Sequence, residues 1–418
     1  MRVLPFHPSS VFTAPVLIIR FVKRILSGSF NMYQRVARSL LTAMLSLVIL
    51  MLCSRCKQET TGHASNDIRE EQPRKLHYAQ GFTVRYDGNK KWVEVKTPYQ
   101  GATSGYTYLL LPHDEEAPIV EPGVKIIRIP LKSIVCTSTS HLPLLEYLGE
   151  ESSLSGFPQT DYISSEKIRQ RVDAGKVLDL GIDKSMNLEQ LASLHPDLVM
   201  GYSMTSDYGQ YKKMEALGVP VVINAEYLEK HPLGRAEWIK FIALFFNKEH
   251  AADSIFNSIE QLYLQTKASA DTVVNKPSVL SGIVYGDAWF MPGGRNYAAQ
   301  LFADAGCNYL WNEDNSTGFL ELDFESVYNK ANEAELWIGV GSHGSLNSLG
   351  DSDHRYKKFR AFQNGNVYTY DARKGAKGGS VYLELGYLRP DIILQDLVKI
   401  AHPQLLPDYT LYFHKRLE

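Results

Sequence analysis

Hydrophobic and polar positions between residues 76 and 131 alternate or cluster in short runs. FTVRY (82–86), KWVEVKT (91–97), YTYLLLP (106–112) and VKIIRIPL (124–131) are rich in β-formers and separated by Asp-Gly and Gly-containing turns. That pattern predicts four strands. Next, SIVCTSTSHLPLLEYLG reads as a short apolar strand running through Ser/Thr residues into an apolar helix. Strands and helices then take turns. KVLDLG (176–181) precedes a helix from Leu188, and DLVMGY (197–202) is a buried strand. YKKMEALG (211–218) is a helix closed by Gly218, and VPVVINA (219–225) is the following strand. Short apolar strands alternating with helices predict a mostly parallel sheet covered by helices.

After Pro232 the alternation gives way to one sustained helical pattern. From Arg235 to about Thr266, apolar residues recur at three- and four-residue spacing, at Trp238, Ile242, Phe245 and then Ile255, Ile259, Leu262. This predicts a long helical region, with Asn247 as a break point. Strand–helix alternation then resumes. VLSGIVYG (279–286) reads as one strand, NYAAQLFADAG (296–306) as a helix closed by Gly306, and AELWIGVG (334–341) and NVYTYDA (366–372) as strands before a closing helical region. The expected fold is α/β: two α/β lobes, each with a mostly parallel central sheet, joined by a long connecting helix. A ligand cleft is expected between the lobes.

Composition removes whole classes of function. Lys+Arg 44 against Asp+Glu 46 gives a net charge of −2, which removes the main electrostatic argument for nucleic-acid binding, since phosphate neutralisation needs a basic surface. The four cysteines, Cys53, Cys56, Cys136 and Cys307, fit neither a zinc signature nor a disulfide framework. Two of them close an apolar run, Leu40 to Leu52, that follows Arg35 and Arg38. The run is shorter than the about 20 residues a membrane helix needs and matches a secretory signal. A Cys directly after such a run resembles the lipoprotein signal. Cys56 is favoured over Cys53 as the lipidated residue, and an uncleaved N-terminal anchor is the alternative. Residues 1–31 precede a complete signal, which points to Met32 as the start. The expected division is 1–56 upstream extension and signal, 57–75 flexible tether, 76–232 β-rich stretch and first lobe, 233–272 connecting region, and 273–418 second lobe.

One small design occurs twice. Asn187-Leu188-Glu189 and Asp323-Phe324-Glu325 each place an N-capping residue two positions before a Glu, at the start of a helix leading into an apolar strand. Capping and the helix dipole alone account for such acids. The surrounding segment, GKVLDLGIDKSMNLEQLASLHPDLVMG, resembles the most recognisable stretch of periplasmic substrate-binding proteins for cobalamin, haem and ferric siderophores. GRAEWIKFIALFFNKEHAADSIF is similar to the start of that family's connecting helix. FMPGGRNYAAQLFADAGCNYLW and FRAFQNGNVYTYD are similar to second-lobe motifs of the same family. The match covers about residues 124–402, and the β-rich stretch 76–112 is additional to it.

The resemblance implies a lipid-anchored protein, on the periplasmic or cell-surface side, that hands a metal chelate to an ABC permease and its ATPase. It implies no catalytic residue, no resident cofactor and no metal site of the protein's own. In that family one surface glutamate per lobe docks on permease arginines, and Glu189 and Glu325 fall on those positions. Ligand contacts are expected from loops at the strand ends: Thr139, His141, Tyr162 and Tyr202 in lobe one, and Trp289, Phe290, Arg295 and Tyr297 in lobe two. Trp289 and Phe290 offer flat apolar area for a macrocycle, or else pack the core. Arg295 suits an anionic group, or else is a solvated helix-start residue. His141 is a candidate metal-centre ligand, or else a hydrogen-bonded histidine. Two other functions compete. An exported chelate-processing enzyme, a haem chelatase or hydrolase, would use His141 or His343. A surface interaction module would use the β-rich stretch.

Overall fold

The structure is a computed structural model, and it describes residues 75–418. The signal segment, both N-terminal cysteines and nearly all of the expected tether lie outside those residues.

β1 (Phe82–Asp87), β2 (Lys90–Val95), β3 (Tyr106–Pro112) and β4 (Lys125–Ile129) form one sheet in sequential order. Pairing is antiparallel except between β3 and β4, which are parallel. In β1 and β2, Val84, Val93 and Val95 turn inward while Thr83 and Glu94 face water. β3 breaks that alternation, and Tyr108, Leu109, Leu110 and Leu111 are all buried. It is a central strand covered on both faces. On one side its Tyr108 hydroxyl accepts the Ile223 N–H. The register puts Phe82 on the same face as Tyr108, where it packs against Trp238 and Phe241 at centroid distances of 4.7 and 5.3 Å.

Two buried carboxylates fasten the approach to β1. Glu237 accepts the N–H groups of His77, Tyr78 and Ala79 and pairs with Lys240 at 2.8 Å. Glu229 accepts those of Gln80 and Gly81 and the Trp238 indole N–H. Burial pushes the Glu237 carboxyl up, but the hydrogen bonds from Ala79, Lys240, His77 and Tyr78 outweigh it and hold the group below its ordinary range.

Lobe one is built on β5 (Ile134–Cys136), β6 (Leu154–Phe157), β7 (Leu178–Asp179), β8 (Leu198–Gly201) and β9 (Val221–Ile223). The order is β7-β6-β5-β8-β9, and every pair is parallel. Crossover helices Leu142–Leu148, Glu166–Asp173, Leu188–Leu194 and Gly209–Ala216 bring the chain back each time. The caps are those the sequence supplies: Ser165 accepts the Ile168 N–H, and Asn187 accepts those of Glu189 and Gln190.

The connecting region is three helices, Pro232–Glu237, Ile239–Leu244 and Glu249–Ala270. Asn247, the expected break, sits at φ 55° between the last two. The buried face of the longest helix is Ala252, Phe256, Ile259, Tyr263, Thr266 and Ala270. Leu262, assigned to that face from sequence, is 40% exposed. The three-and-four spacing is satisfied by Tyr263 instead, one position round the helix.

Lobe two follows with β10 (Ser278–Ser281), β11 (Ile283–Tyr285), β12 (Ala288–Pro292), β13 (Asn308–Tyr309), β14 (Phe319–Leu322), β15 (Leu336–Ile338), β16 (Val367–Thr369) and β17 (Lys415–Arg416). Its central sheet has the order β13-β10-β15-β16-β17 and is parallel apart from β17. The segment 279–286, expected as one strand, is two. Gly282 takes φ 81°, and a Cβ there would collide with the Phe290 carbonyl oxygen. Only glycine permits that turn at that distance. It sends the chain from β10 into a separate antiparallel sheet, β11-β12-β14, at the carboxyl end of the central one. The connecting helix is bound to this lobe through Asp304, which accepts from the Tyr263 hydroxyl and Lys267.

Candidate functional site

In an open α/β sheet, ligands lie beyond the carboxyl ends of the parallel strands, where the connecting loops diverge. In lobe one those ends carry Thr137–His141 after β5, Gln159–Tyr162 after β6, Tyr202–Tyr208 after β8 and Asn224–Tyr227 after β9. In lobe two they carry the β11-β12-β14 lip after β10 and the loops after β15 and β16.

The lip separates two residues that the sequence treated together. Neighbours in a strand point to opposite faces, so Trp289 and Phe290 part company. Trp289 is 0% exposed. It stacks on Trp337 at 5.4 Å, is surrounded by Phe324, Tyr356 and Phe359, and donates its indole N–H to the Ser281 carbonyl. The expected ligand contact at Trp289 is therefore corrected: it is core. Phe290 stands on the outer face, half-buried, edge-on to Tyr285 at 6.0 Å. Tyr285 is 78% exposed. Tyr285 is not among the expected contacts, although the Gly286-Asp287 turn signal places it across the hairpin from Ala288, on the face Phe290 shares.

His141 is also corrected. It is 0% exposed, with its Nε2 3.8 Å from Glu226 Oε1 and the Met200 backbone beside the ring. Burial pushes the imidazole pKa down, with Glu226 opposing. Glu226 itself accepts from the Ser140 hydroxyl at 2.5 Å. A sealed neutral imidazole behind the loop makes no contact with a ligand in the cleft. The same sealing removes it as a catalytic group for the enzyme reading. His343, the other histidine of that reading, is half-buried, and burial lowers its pKa.

Tyr297, a third expected contact, is buried at the start of the helix Tyr297–Asp304. Its ring lies 3.8 Å from the Arg235 guanidinium, which also sits 4.7 Å from Tyr387. Arg235 donates to the Glu229 and Tyr227 carbonyls, so one cation joins lobe-one backbone to lobe-two rings. Tyr297 is thereby covered, and an open ligand contact there is corrected too.

The remaining expected contacts are accessible in different degrees. Thr139 is half-buried in the turn Thr139–His141. Tyr162 is 59% exposed at the end of the turn Thr160–Tyr162. Tyr202 is half-buried with its hydroxyl turned to Asp183. Arg295 is exposed, its backbone N–H on Ser316, and its guanidinium makes no ion pair among the described residues. The structure thus brings Tyr162, Phe290 and Tyr285 to strand-end positions as exposed or half-exposed aromatic surface.

Glu189 and Glu325 are both exposed, each two residues after a capping side chain. The Glu189 side chain has no hydrogen bond or ion pair among the described residues. Glu325 lies 3.9 Å from Arg355, whose main partner is Asp353 at 2.7 Å.

A sequence profile of the periplasmic binding protein family matches residues 134–374, from the start of β5 to the loop after β16. An uncharacterized lipoprotein of Methanocaldococcus jannaschii is 25% identical over 402 residues, which is 88% of this chain and 94% of that protein. A second from the same organism is 27% identical over 377 residues, 84% of this chain and 87% of the relative. Among solved structures, a periplasmic heme binding protein from Pseudomonas aeruginosa aligns with a TM-score of 0.52 at 16% identity, over 69% of this chain and 98% of its own. A possible iron-binding periplasmic solute-binding protein from Staphylococcus epidermidis aligns at 0.51 and 17%, over 65% and 99%. These structural likenesses carry the fold, and the sheet β1–β4 lies outside the family match. The two-lobed architecture and the match across both lobes make this chain a member of the periplasmic binding protein family.

Proposed function

We propose that this chain is the substrate-binding lipoprotein of an ABC importer, capturing a metal chelate of the haem, cobalamin or ferric siderophore type between its lobes. The observation that carries this reading is the Phe290–Tyr285 pair, outward on a lip that continues directly from the carboxyl end of β10. Flat aromatic surface at a strand-end crevice suits a large ring or a chelate with aromatic or apolar edges. Arg295 supplies a cation for a carboxylate or other anionic edge. The iron- and haem-binding proteins that share the fold support the ligand class. Delivery to a permease and its ATPase follows from the family, with Glu189 and Glu325 as the docking acids and one lobe on either side of residues 233–272.

The test is titration of the purified protein with haem, cobalamin and ferric hydroxamate and catecholate siderophores, followed by visible spectra and affinity. One class is expected to bind one-to-one at about 1 μM or tighter, and Phe290→Ala to weaken it by about 1–3 kcal/mol. If none of them binds in that range, the chelate reading fails.

The lipid anchor is proposed from the apolar run ending at Cys53 and Cys56 and agrees with the description of both relatives as lipoproteins. Mass spectrometry of the mature protein is expected to show an acylated N-terminal cysteine, Cys56. A mature chain that keeps Met32 to Leu52 would refute the anchor.

A further inference from the structure

After β16 the chain leaves the lobe-two sheet and lies against lobe one. The loop from Lys374 to Ser380 is closed by hydrogen bonds from Gly375 N–H to Gly379 and from Gly378 N–H to Gly375. Its glycines rest directly on lobe-one backbone. A Cβ on Gly375 would sit 2.5 Å from the Ser164 Cα, and one on Gly379 would collide with the Tyr162 carbonyl. The short helix Val381–Leu385 follows, capped by Ser380. From it Glu384, 2% exposed, reaches across. One carboxylate oxygen accepts the Ser164 N–H at 2.7 Å and the other the Ser165 N–H at 2.9 Å. The Ser165 hydroxyl is held in turn by Glu146 at 2.6 Å. Arg389, paired with Asp391, makes a second crossing to the Tyr147 hydroxyl at 2.8 Å.

Two consecutive N–H groups of one lobe converge on a carboxylate of the other. This is a charge-assisted contact, and it closes the loop that bears Tyr162. We propose that Glu384 is an interlobe positioning residue: its carboxylate fixes the Gln159–Ser165 loop of lobe one against lobe two and thereby sets the place of Tyr162 at the cleft. The value of that placement for capture rests on the binding role proposed above; the clasp itself is tested without ligand.

The clasp has a pH signature. Burial, with repulsion from Glu146, pushes the Glu384 carboxyl up to about 7 against the hydrogen bonds from Ser164 and Ser165. The elements packed on its helix present His141, Glu146 and Tyr147. Glu146 acts on Glu384 through space, and His141 is sealed against Glu226 with its pKa lowered by burial. Opening the clasp returns Glu384 to water and to an ordinary carboxylate value of 4.5. The closed form therefore binds a proton more tightly than the open one. Closure is favoured as pH falls and loosens as pH rises through about 7.

Amide hydrogen exchange of the full protein reads this directly. Protection factors of the Ser164 and Ser165 amides are expected to rise between pH 8 and pH 5. In Glu384→Gln, a neutral isostere, that step is expected to vanish. In Glu384→Ala, protection is expected to fall at least about tenfold across this pH range, the cost of losing two hydrogen bonds whether the carboxyl is charged or protonated. A trifluoromethyl-phenylalanine in place of Tyr162 should give a fluorine signal that shifts with the same midpoint. Wild-type protection that is flat from pH 5 to 8, a pH step that survives in Glu384→Gln, or a fluorine signal indifferent to the clasp each overturns the proposal. A protein that passes these tests yet binds no chelate loses the proposed function and keeps the clasp.

Discussion

Trp289→Ala is expected to cost about 3–5 kcal/mol of stability, the range for emptying a buried aromatic site, while leaving chelate affinity of the folded protein unchanged. The side chain is wholly inside lobe two, against Trp337, Phe324, Tyr356 and Phe359. Truncation leaves a cavity that four rigid rings cannot readily collapse into. It also strips the Ser281 carbonyl, itself on a buried residue, of its indole donor. Phe290→Ala should give the opposite pattern. Phe290 is half-buried on the outer face, so stability should change little and ligand affinity should fall. Denaturant melts of both variants alongside chelate titration separate the two roles. A Trp289→Ala protein with native stability and weakened binding would put the indole back at the ligand.

That pair shows where sequence reading reaches its limit. Alternation made β1 and β2 legible, because each has one wet and one dry face. The short parallel strands of lobe one were legible as continuous apolar runs between helices, and Asn187 and Asp323 as caps because their partners lie two or three residues away. The Gly282 turn was not, since nothing local says that this glycine rather than its neighbours will meet the Phe290 carbonyl. Without the turn, the register of β12 is unknown, and so is which aromatic faces out. The buried carboxylates were less legible still. Glu229 and Glu237 answer to backbone N–H groups about 150 residues upstream, and Glu384 to groups 220 and 219 residues away. A glutamate in a helix looks the same in sequence whether it faces water or holds a distant segment. His141 carried the same ambiguity. Only the fold shows that it stands behind its loop, against Glu226, rather than in front of it.

Replacing both Glu189 and Glu325 with Ala is expected to abolish transport while leaving chelate affinity in solution nearly intact. Both acids are exposed at helix starts, one on each lobe, and the caps Asn187 and Asp323 supply the first-turn hydrogen bonds without them. The stability cost should therefore stay near the charge–dipole term, roughly 0.3–1 kcal/mol per site. Two acids, one on each lobe, suit a two-point electrostatic clamp, which favours encounter and orientation more than raw affinity. The two sites are not equal. Glu189 has no ion pair among the described residues, whereas Glu325 lies 3.9 Å from Arg355 and must share that cation or leave it on docking. Arg355 keeps Asp353 at 2.7 Å as its principal partner, so the release is cheap, but it should make the single Glu325→Ala change milder than Glu189→Ala. Acids with a purely structural role would behave in reverse: the double variant would melt earlier, and whatever remained folded would transport normally. Reversing the sign of the facing permease residues should rescue Lys substitutions if the contact is direct. Normal uptake by the double Ala protein at equal expression would remove the docking role and leave two well-placed helix-start acids.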